Sequence, residues 1–258
     1  MKIHERHWPG DPARKALALH CLMGSSVYWG PIAQRLGGMV DLYAFDAPGH
    51  GRSGDWVPGE RAGAEFHTGV TWIATPRIDR PMDLIGHSLG ATVALRIAVG
   101  APQSVRSLTL IEPVLFAAAP AFCDDPLFGE IEHLLAADRD EEATRAFLAV
   151  WGGGNFDTLP PAQRKRAVSQ IRLVAETNQI LREDRARILR AGGLEGIGAP
   201  VMLIRGADSP PVMEAICGSL AARLPDVARA VVPDAGHMAP ITHPEEVAGL
   251  IRVNLERD

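Results

Sequence analysis

The sequence predicts an α/β protein built on a mostly parallel sheet. Strand-like runs alternate with helical patterns over residues 16–107 and again from residue 200 to the end. This alternation is typical of parallel strands joined by crossover helices. Between these regions, over residues 114–198, only helical patterns occur, with breaks at the glycine runs 152–154 and 192–193. We therefore expect one sheet-based core carrying a helical insertion.

The first two predicted strands of the core end in loops rich in small residues. The strand at residues 16–19 runs into HCLMGSS at 20–26, and the strand at 40–45 runs into DAPGHGRS at 46–53. The second loop contains G-x-G-x-x-G at residues 49–54, but a dinucleotide site needs a helix that opens directly on its glycines. Loop residues follow these glycines instead, so we exclude a dinucleotide site.

The sequence GHSLG at residues 86–90 is the strongest functional signal in the chain. It directly follows the apolar run 82–85 and directly precedes a helical pattern over 89–98. A G-x-S-x-G turn between a strand and a helix lifts the serine hydroxyl clear of its sheet. Its glycines are needed because crowded backbone atoms leave no room for side chains. We expect Ser88 to be a nucleophile.

A histidine near the C-terminus is the expected general base. The predicted strand at residues 228–232 is followed by PDAGHMAP, which contains His237. A histidine on a loop just past a strand can take the serine proton during attack and return it to the leaving group. A histidine that follows the serine along the chain is typical of enzymes with this nucleophile turn.

Together these motifs resemble those of the α/β-hydrolase fold superfamily, and the resemblance covers essentially the whole chain. HCLMGSS, DAPGHGRS, GHSLG and DAGHM follow successive predicted strands in the order of that superfamily. The resemblance implies a doubly wound, mostly parallel eight-stranded sheet with helices on both faces. It also implies a helical lid inserted after the sixth strand. We expect residues 1–113 and 199–258 to form the core and residues 114–198 the lid.

Two acidic residues compete for the role of orienting His237. The superfamily usually has an aspartate three residues after the glycine that ends the seventh strand. Here the third residue after Gly206 is Ser209, and Asp208 lies one position early. Glu112 is the alternative, because superfamily members similar to haloalkane dehalogenases carry their acid at the end of the sixth strand. We favour Glu112, since a one-residue shift in a tight loop misdirects a short side chain, and Asp208 stays open.

The expected oxyanion hole consists of two backbone N–H groups. Leu89 directly follows the serine, and Leu22 lies in the loop after the first core strand. Such donors point to where negative charge grows on the attacked carbonyl oxygen, and losing one costs about 3 kcal/mol of transition-state stabilisation.

The predicted lid is the expected source of substrate preference. It contains five of the seven phenylalanines, and Trp151 follows Phe147 by one helical turn. An apolar lid over a serine suits an ester, thioester or lactone with an apolar part. We expect Phe116, Phe147 and Trp151 to contact the substrate, although aromatic residues at helical spacing also commonly pack between helices.

The expected reaction is hydrolysis through an acyl-enzyme, with no cofactor and no metal. The serine argues against dehalogenase and epoxide hydrolase chemistry, for which this fold uses an aspartate. Two alternatives stay open: a lyase that uses the same residues for proton transfer, and a non-catalytic protein that holds a ligand in the pocket.

Composition restricts the partners and the compartment. The net charge of −5 argues against nucleic acid or an anionic membrane as the main partner, and no apolar stretch approaches membrane-spanning length. The odd set Cys21, Cys123 and Cys217 makes no disulfide framework. With no signal peptide in the N-terminal residues, we expect a cytoplasmic protein with a small-molecule substrate and leave its oligomeric state open.

Overall fold

A single seven-stranded sheet forms the centre of the computed structural model, which describes residues 1–57, 65–122 and 125–257. Cys123 lies outside the described residues. The strand order is β1-β3-β2-β4-β5-β6-β7. In chain order the strands are β1 (Glu5–Trp8), β2 (Lys15–Leu19), β3 (Asp41–Phe45), β4 (Met82–His87), β5 (Val105–Ile111), β6 (Val201–Gly206) and β7 (Val227–Val232).

Strands β2 to β7 are parallel to one another, and β1 pairs antiparallel with β3. The central strands are buried along almost their whole length, because helices cover both faces of the sheet. The C-terminal ends of the six parallel strands all meet at one side, which we call the carboxyl edge. Loops that follow these strands are therefore neighbours in space.

Two helical layers enclose the sheet. One contains α1 (Gly30–Leu36), α8 (Ala239–Thr242) and α9 (Pro244–Leu255); the other contains α2 (Phe66–Ala74), α3 (Leu89–Gly100) and α7 (Pro211–Ala221). The alternation of side chains in a strand feeds both layers. In β2, Leu17 and Leu19 pack toward α3, whereas Ala16 and Ala18 belong to the cluster around α1 and α9.

Three further helices lie between β5 and β6. They are α4 (Pro126–Ala136), α5 (Asp140–Trp151) and α6 (Pro161–Arg182). Their buried side chains join the core cluster on the α3 side of the sheet. None of the helices within the described ranges combines the length and the apolar character that a bilayer crossing requires.

The sheet has seven strands in the described residues, not the eight expected. Among the described residues, β1 is the one strand before β2, and it is the outermost strand on its side of the sheet, paired antiparallel with β3. The helical segment consequently follows the fifth strand, β5, which is the strand predicted at residues 107–111.

Candidate active site

Three buried polar side chains form a continuous hydrogen-bonded chain at the carboxyl edge. Ser88 Oγ lies 3.0 Å from His237 Nε2, and His237 Nδ1 lies 3.0 Å from Glu112 Oε2. Ser88 follows β4, Glu112 follows the adjacent strand β5, and His237 lies on the loop after β7. Residues 149 positions apart in the chain thus meet at bonding distance.

The turn at Ser88 has the crowded backbone that its sequence predicts. Ser88 adopts φ 57° and ψ −118°, a strained conformation for a residue with a side chain. A Cβ atom on Gly86 would lie 2.4 Å from the carbonyl oxygen of Gly90, and one on Gly90 would lie 2.2 Å from that of Leu19. Both glycines are therefore required, and the absence of a Cβ at position 90 lets α3 begin against the end of β2.

The Glu112 carboxylate is held from three sides. Its Oε1 atom accepts hydrogen bonds from the Gly206 N–H at 2.6 Å and from Ser209 Oγ at 2.7 Å, while Oε2 faces His237. Its backbone also has positive φ, at 51°. This arrangement leaves the carboxylate one orientation, with one oxygen against the imidazole.

Asp208, the other predicted acid, is not brought to the imidazole. It is exposed, and its carboxylate makes no hydrogen bond to any residue in the described ranges. The offset of one residue explains this: the side chain that points inward from this loop is that of Ser209, which donates to Glu112. The structure thus pairs His237 with Glu112 and leaves Asp208 at the surface.

A second histidine connects the site to the loop after β2. His87 Nε2 donates to the carbonyl oxygen of His237 at 2.9 Å, and its Nδ1 accepts from the Tyr28 hydroxyl at 3.1 Å. The same hydroxyl accepts from the Cys21 N–H at 3.0 Å. Burial, with the adjacent His237 ring as a lesser cause, holds the pKa of His87 well below its ordinary value, so the His87 ring stays neutral. Tyr28 was not predicted from the sequence, because its spacing from His87 carries no signal of this contact.

The two predicted oxyanion donors lie on either side of the close approach between α3 and β2. Leu89 is the first residue of α3, where a helix has no internal acceptor for its N–H groups. Leu22 lies in the loop after β2 and lines the cavity together with Ser88. Neither N–H donates a hydrogen bond to any residue that the structure describes.

Two buried histidines hold this loop. His20 Nε2 accepts from the Ala47 N–H at 2.8 Å, and His50 Nε2 accepts from the Met23 N–H at 3.1 Å. Burial, and then the neighbouring His20, lowers the pKa of His50 to about 3, so its ring remains a neutral acceptor. Both rings order the backbone around Leu22 and make no direct hydrogen bond to Ser88.

A cavity of about 460 Å³ lies over Ser88. Phe116, Phe147 and Trp151, the predicted substrate contacts, all line it, and Phe128 adds a fourth aromatic ring that was not singled out from the sequence. The ring of Trp151 stands perpendicular to that of His237, with centroids 4.8 Å apart. The cavity is therefore mainly apolar next to the hydroxyl.

One face of α6 brings polar side chains into the same cavity. Gln163, Arg166, Gln170 and Asn178 line it, together with the apolar residues between them. Gln170 Nε2 donates to the carbonyl oxygen of Gly49 at 2.8 Å, which ties α6 to the loop after β3. These polar residues of α6 were not predicted from the sequence. A signal for them was available in the sequence, since an amide side chain on the apolar stripe of an amphipathic helix is unusual.

The described residues contain no group of three histidine, cysteine or acidic side chains placed to hold a metal ion. The expected absence of a metal and of a cofactor remains a prediction.

Known proteins are similar to this chain over most of its length. The family model of the alpha/beta hydrolases matches residues 16–250. The lipase LipV of Mycobacterium tuberculosis is 26% identical over 263 residues, covering 97% of this chain and 96% of that protein. A pimeloyl-[acyl-carrier protein] methyl ester esterase of Methylococcus capsulatus is 30% identical over 229 residues, covering 80% of each chain.

Solved structures show the same fold. MGS-M2, an alpha/beta hydrolase enzyme from a deep-sea metagenome library of the Medee basin, superposes with a TM-score of 0.69 at 15% identity, covering 98% of this chain and 94% of that one. At this identity the likeness concerns the fold alone. The chain belongs to the alpha/beta hydrolase family. It is a hydrolase.

Proposed function

We propose that this protein is a serine hydrolase that cleaves an ester, thioester or lactone bond of a small, partly apolar substrate through an acyl-enzyme. The hydrogen-bonded chain from Ser88 through His237 to Glu112 carries this proposal. It joins a nucleophile, a base and an orienting acid with the geometry that serine hydrolases need. The relatives named as a lipase and a methyl ester esterase support ester chemistry.

In the first half-reaction, Ser88 Oγ bonds to the substrate carbonyl carbon while its proton passes to His237 Nε2. Glu112, hydrogen-bonded to Nδ1, stabilises the imidazolium that results. The N–H groups of Leu22 and Leu89 receive the oxyanion. The carbon–oxygen or carbon–sulfur bond to the leaving group then breaks, and the leaving group takes the proton from His237.

In the second half-reaction, a water molecule replaces the leaving group. His237 accepts one water proton as the oxygen bonds to the acyl carbon, and the oxyanion forms again. Collapse breaks the bond to Ser88 Oγ, which recovers its proton from His237. The products are a carboxylic acid and the free serine, so no oxidant, metal or cofactor takes part.

The helical segment at residues 114–198 is proposed as the lid that selects the substrate. Phe116, Phe147 and Trp151 line the cavity over Ser88, which supports a binding role for their rings. Pockets of this apolar type bury the larger part of a small ligand. We further propose a cytoplasmic location, which is supported by the free, buried thiols of Cys21 and Cys217.

Turnover of short p-nitrophenyl esters and labelling by a fluorophosphonate test this proposal. The wild-type protein should hydrolyse the esters and be labelled at Ser88. Ser88→Ala should lose at least about 10⁴-fold in kcat, because the nucleophile is gone, and should not be labelled. Labelling without turnover of any ester, thioester or lactone would favour a lyase or a ligand-binding protein instead.

A further inference from the structure

The cavity over Ser88 follows α6 from the surface into the interior. Gln163 and Arg166, in the first half of the helix, are exposed at its mouth. Val174, Asn178 and Leu181, in the second half, line it at positions that are at least nine-tenths buried. The cavity therefore has an open end beside the start of α6 and a closed end beside its last turns.

Asn178 at the closed end has an amide without a hydrogen-bond partner. Its side chain is buried, with 5% of the residue exposed, and Oδ1 is fully enclosed with no donor in reach. Within the described ranges no hydrogen bond involves its amide nitrogen either. An unpaired buried polar group costs about 1–3 kcal/mol. Gln170 Oε1 is also buried and unpaired, but the Nε2 atom of Gln170 donates to Gly49, and Thr177 donates to Leu173.

We propose that Asn178 determines substrate specificity by hydrogen bonding to an uncharged polar group on the distal part of the acyl chain, such as a hydroxyl, ketone or amide. This inference rests on the proposed function and names its substrate class: functionalised acyl esters rather than plain fatty acyl esters. An acceptor oxygen on a bound group of this kind would take a hydrogen bond from Asn178 Nδ2, for which the described residues supply no partner.

Two physical arguments indicate where the acyl chain lies in the cavity and why its polar group is uncharged. The leaving group departs first while the acyl group stays on Ser88, so the open end suits the leaving group and the closed end the acyl chain. The group must be uncharged, because the neighbours of Asn178 along the cavity face of α6 are Val174 and Leu181. A charge buried beside them would have no counter-ion.

The test compares p-nitrophenyl esters of equal chain length. One carries a plain alkanoyl group, and in the others a hydroxyl or keto group is moved along the chain one carbon at a time. The wild-type protein should prefer one polar position over the plain ester by at least about ten-fold in kcat/KM. Asn178→Leu, which keeps the branching and the number of heavy atoms but is apolar, should abolish that preference and raise kcat/KM for the plain ester.

Gln179→Leu is the matched control. Gln179 is the next residue on α6, is exposed, and bonds to Glu183 outside the cavity, so this variant should keep the wild-type preference. If Asn178→Leu fails to fold, Asn178→Asp retains the side-chain shape and adds a negative charge. It should then favour an acyl chain with a terminal amine over one with a hydroxyl.

Binding of the product acids separates this inference from the proposed function. Calorimetry on the Ser88→Ala protein, with and without Asn178→Leu, needs no turnover. Suppose that the wild-type protein hydrolyses no ester, yet the protein with Asn178 binds the polar acid at least about ten-fold more tightly than the plain acid, and the Asn178→Leu protein does not. The proposed function then fails, and the assignment of Asn178 as a specificity residue stands. Equal preference for polar and plain chains in the presence and absence of Asn178 would overturn the assignment.

Discussion

The carboxyl edge of the sheet and the helical segment at residues 114–198 differ in how well their buried polar side chains are hydrogen-bonded. At the edge, Glu112 and His237 are buried and hydrogen-bonded, and Glu112 alone has three partners. In the helical segment, the ion pairs of Arg145 and Arg172 lie at the surface, where such pairs contribute only about 0–1 kcal/mol, while the buried amide of Asn178 is unpaired. The sheet therefore holds its buried polar groups in place through hydrogen bonds, whereas the helical segment leaves buried amide oxygens unpaired beside the cavity.

Strained backbone occurs in both regions. Seven non-glycine residues in the described ranges have positive φ. Met23, Ser88, Glu112 and Asp234 lie on loops at the carboxyl edge, and Asp138, Asp184 and Arg187 lie in the helical segment. Each such residue costs about 1–3 kcal/mol and persists only where its surroundings enforce it. At the carboxyl edge, two of these positions, Ser88 and Glu112, belong to the hydrogen-bonded chain described above.

The largest expected effect comes from the acid at the carboxyl edge. Glu112→Gln should lower kcat by about 10³- to 10⁴-fold, because an amide no longer holds the imidazole in the required tautomer or stabilises its charge. Asp208→Asn is the matched control and should keep nearly full activity, since Asp208 is exposed. Steady-state kinetics on a p-nitrophenyl ester measures both, and equal losses would contradict the assignment of Glu112.

Replacing one glycine in each region should change the free energy of unfolding in opposite directions. Gly90→Ala should lower the free energy of unfolding by about 3 kcal/mol, because its Cβ would lie 2.2 Å from the backbone oxygen of Leu19. Gly129→Ala, in α4, meets nothing within 4 Å and should raise it by about 0.5–1 kcal/mol, since alanine is the better helix former. Urea unfolding gives both values. A destabilised Gly129→Ala or an unchanged Gly90→Ala would refute this contrast.

The buried histidines should make the sheet core sensitive to acid. Burial, and then the charge of Arg96, lowers the pKa of His67 to about 3. Below an unfolded-state pKa of about 6.5 the unfolded chain binds a proton that the folded state does not, so stability falls as the pH drops from about 6.5 toward 3. This one residue accounts for about 2 kcal/mol between pH 7.5 and pH 5.

Urea unfolding at both pH values, with His67→Gln, tests this dependence. The variant should lose part of the pH effect whatever its absolute stability. His133→Gln replaces an exposed histidine in the helical segment and should retain the full effect. An unchanged pH dependence in His67→Gln would contradict the role of His67.

The smallest expected effect concerns the hydrogen bonds that connect the loop after β2 to His237. Tyr28→Phe removes the hydroxyl that joins the Cys21 N–H to His87, and so loosens the support of His237. We expect kcat to fall about ten-fold with little change in KM, since about 1–3 kcal/mol of buried hydrogen bonding is lost. Tyr43→Phe, at the only other tyrosine, removes a bond to Asp41 away from the site and should have no effect on kcat. A change confined to KM would argue against a positioning role.

Local patterns were sufficient for the parts of the site that depend on chain order. The loops after β2, β4 and β7 were located from short apolar runs and turn residues, and parallel strands bring such loops to a common edge. Ser88 and His237 were identified for that reason. The choice between Glu112 and Asp208 could be made only from the structure, because it depends on which side chain of the loop after Gly206 points inward.

The remaining differences have similar physical causes. The expected strand count came from the resemblance, whereas the described residues before β2 form the single strand β1. Phe128 and Asn178 could not be assigned to the cavity from sequence, because the orientation of a helix about its own axis depends on its packing partners. Tyr28 contacts His87 across 59 residues of chain, a distance that no local pattern reports.

The position of His237 beyond β7 has a consequence for how activity fails. β7 pairs only with β6 and is the outermost strand on its side of the sheet. Peeling of this single strand would withdraw the imidazole while the rest of the molecule stayed folded. Enzymatic inactivation should therefore precede the loss of circular dichroism in a denaturant titration, and during refolding it should be the last signal to return.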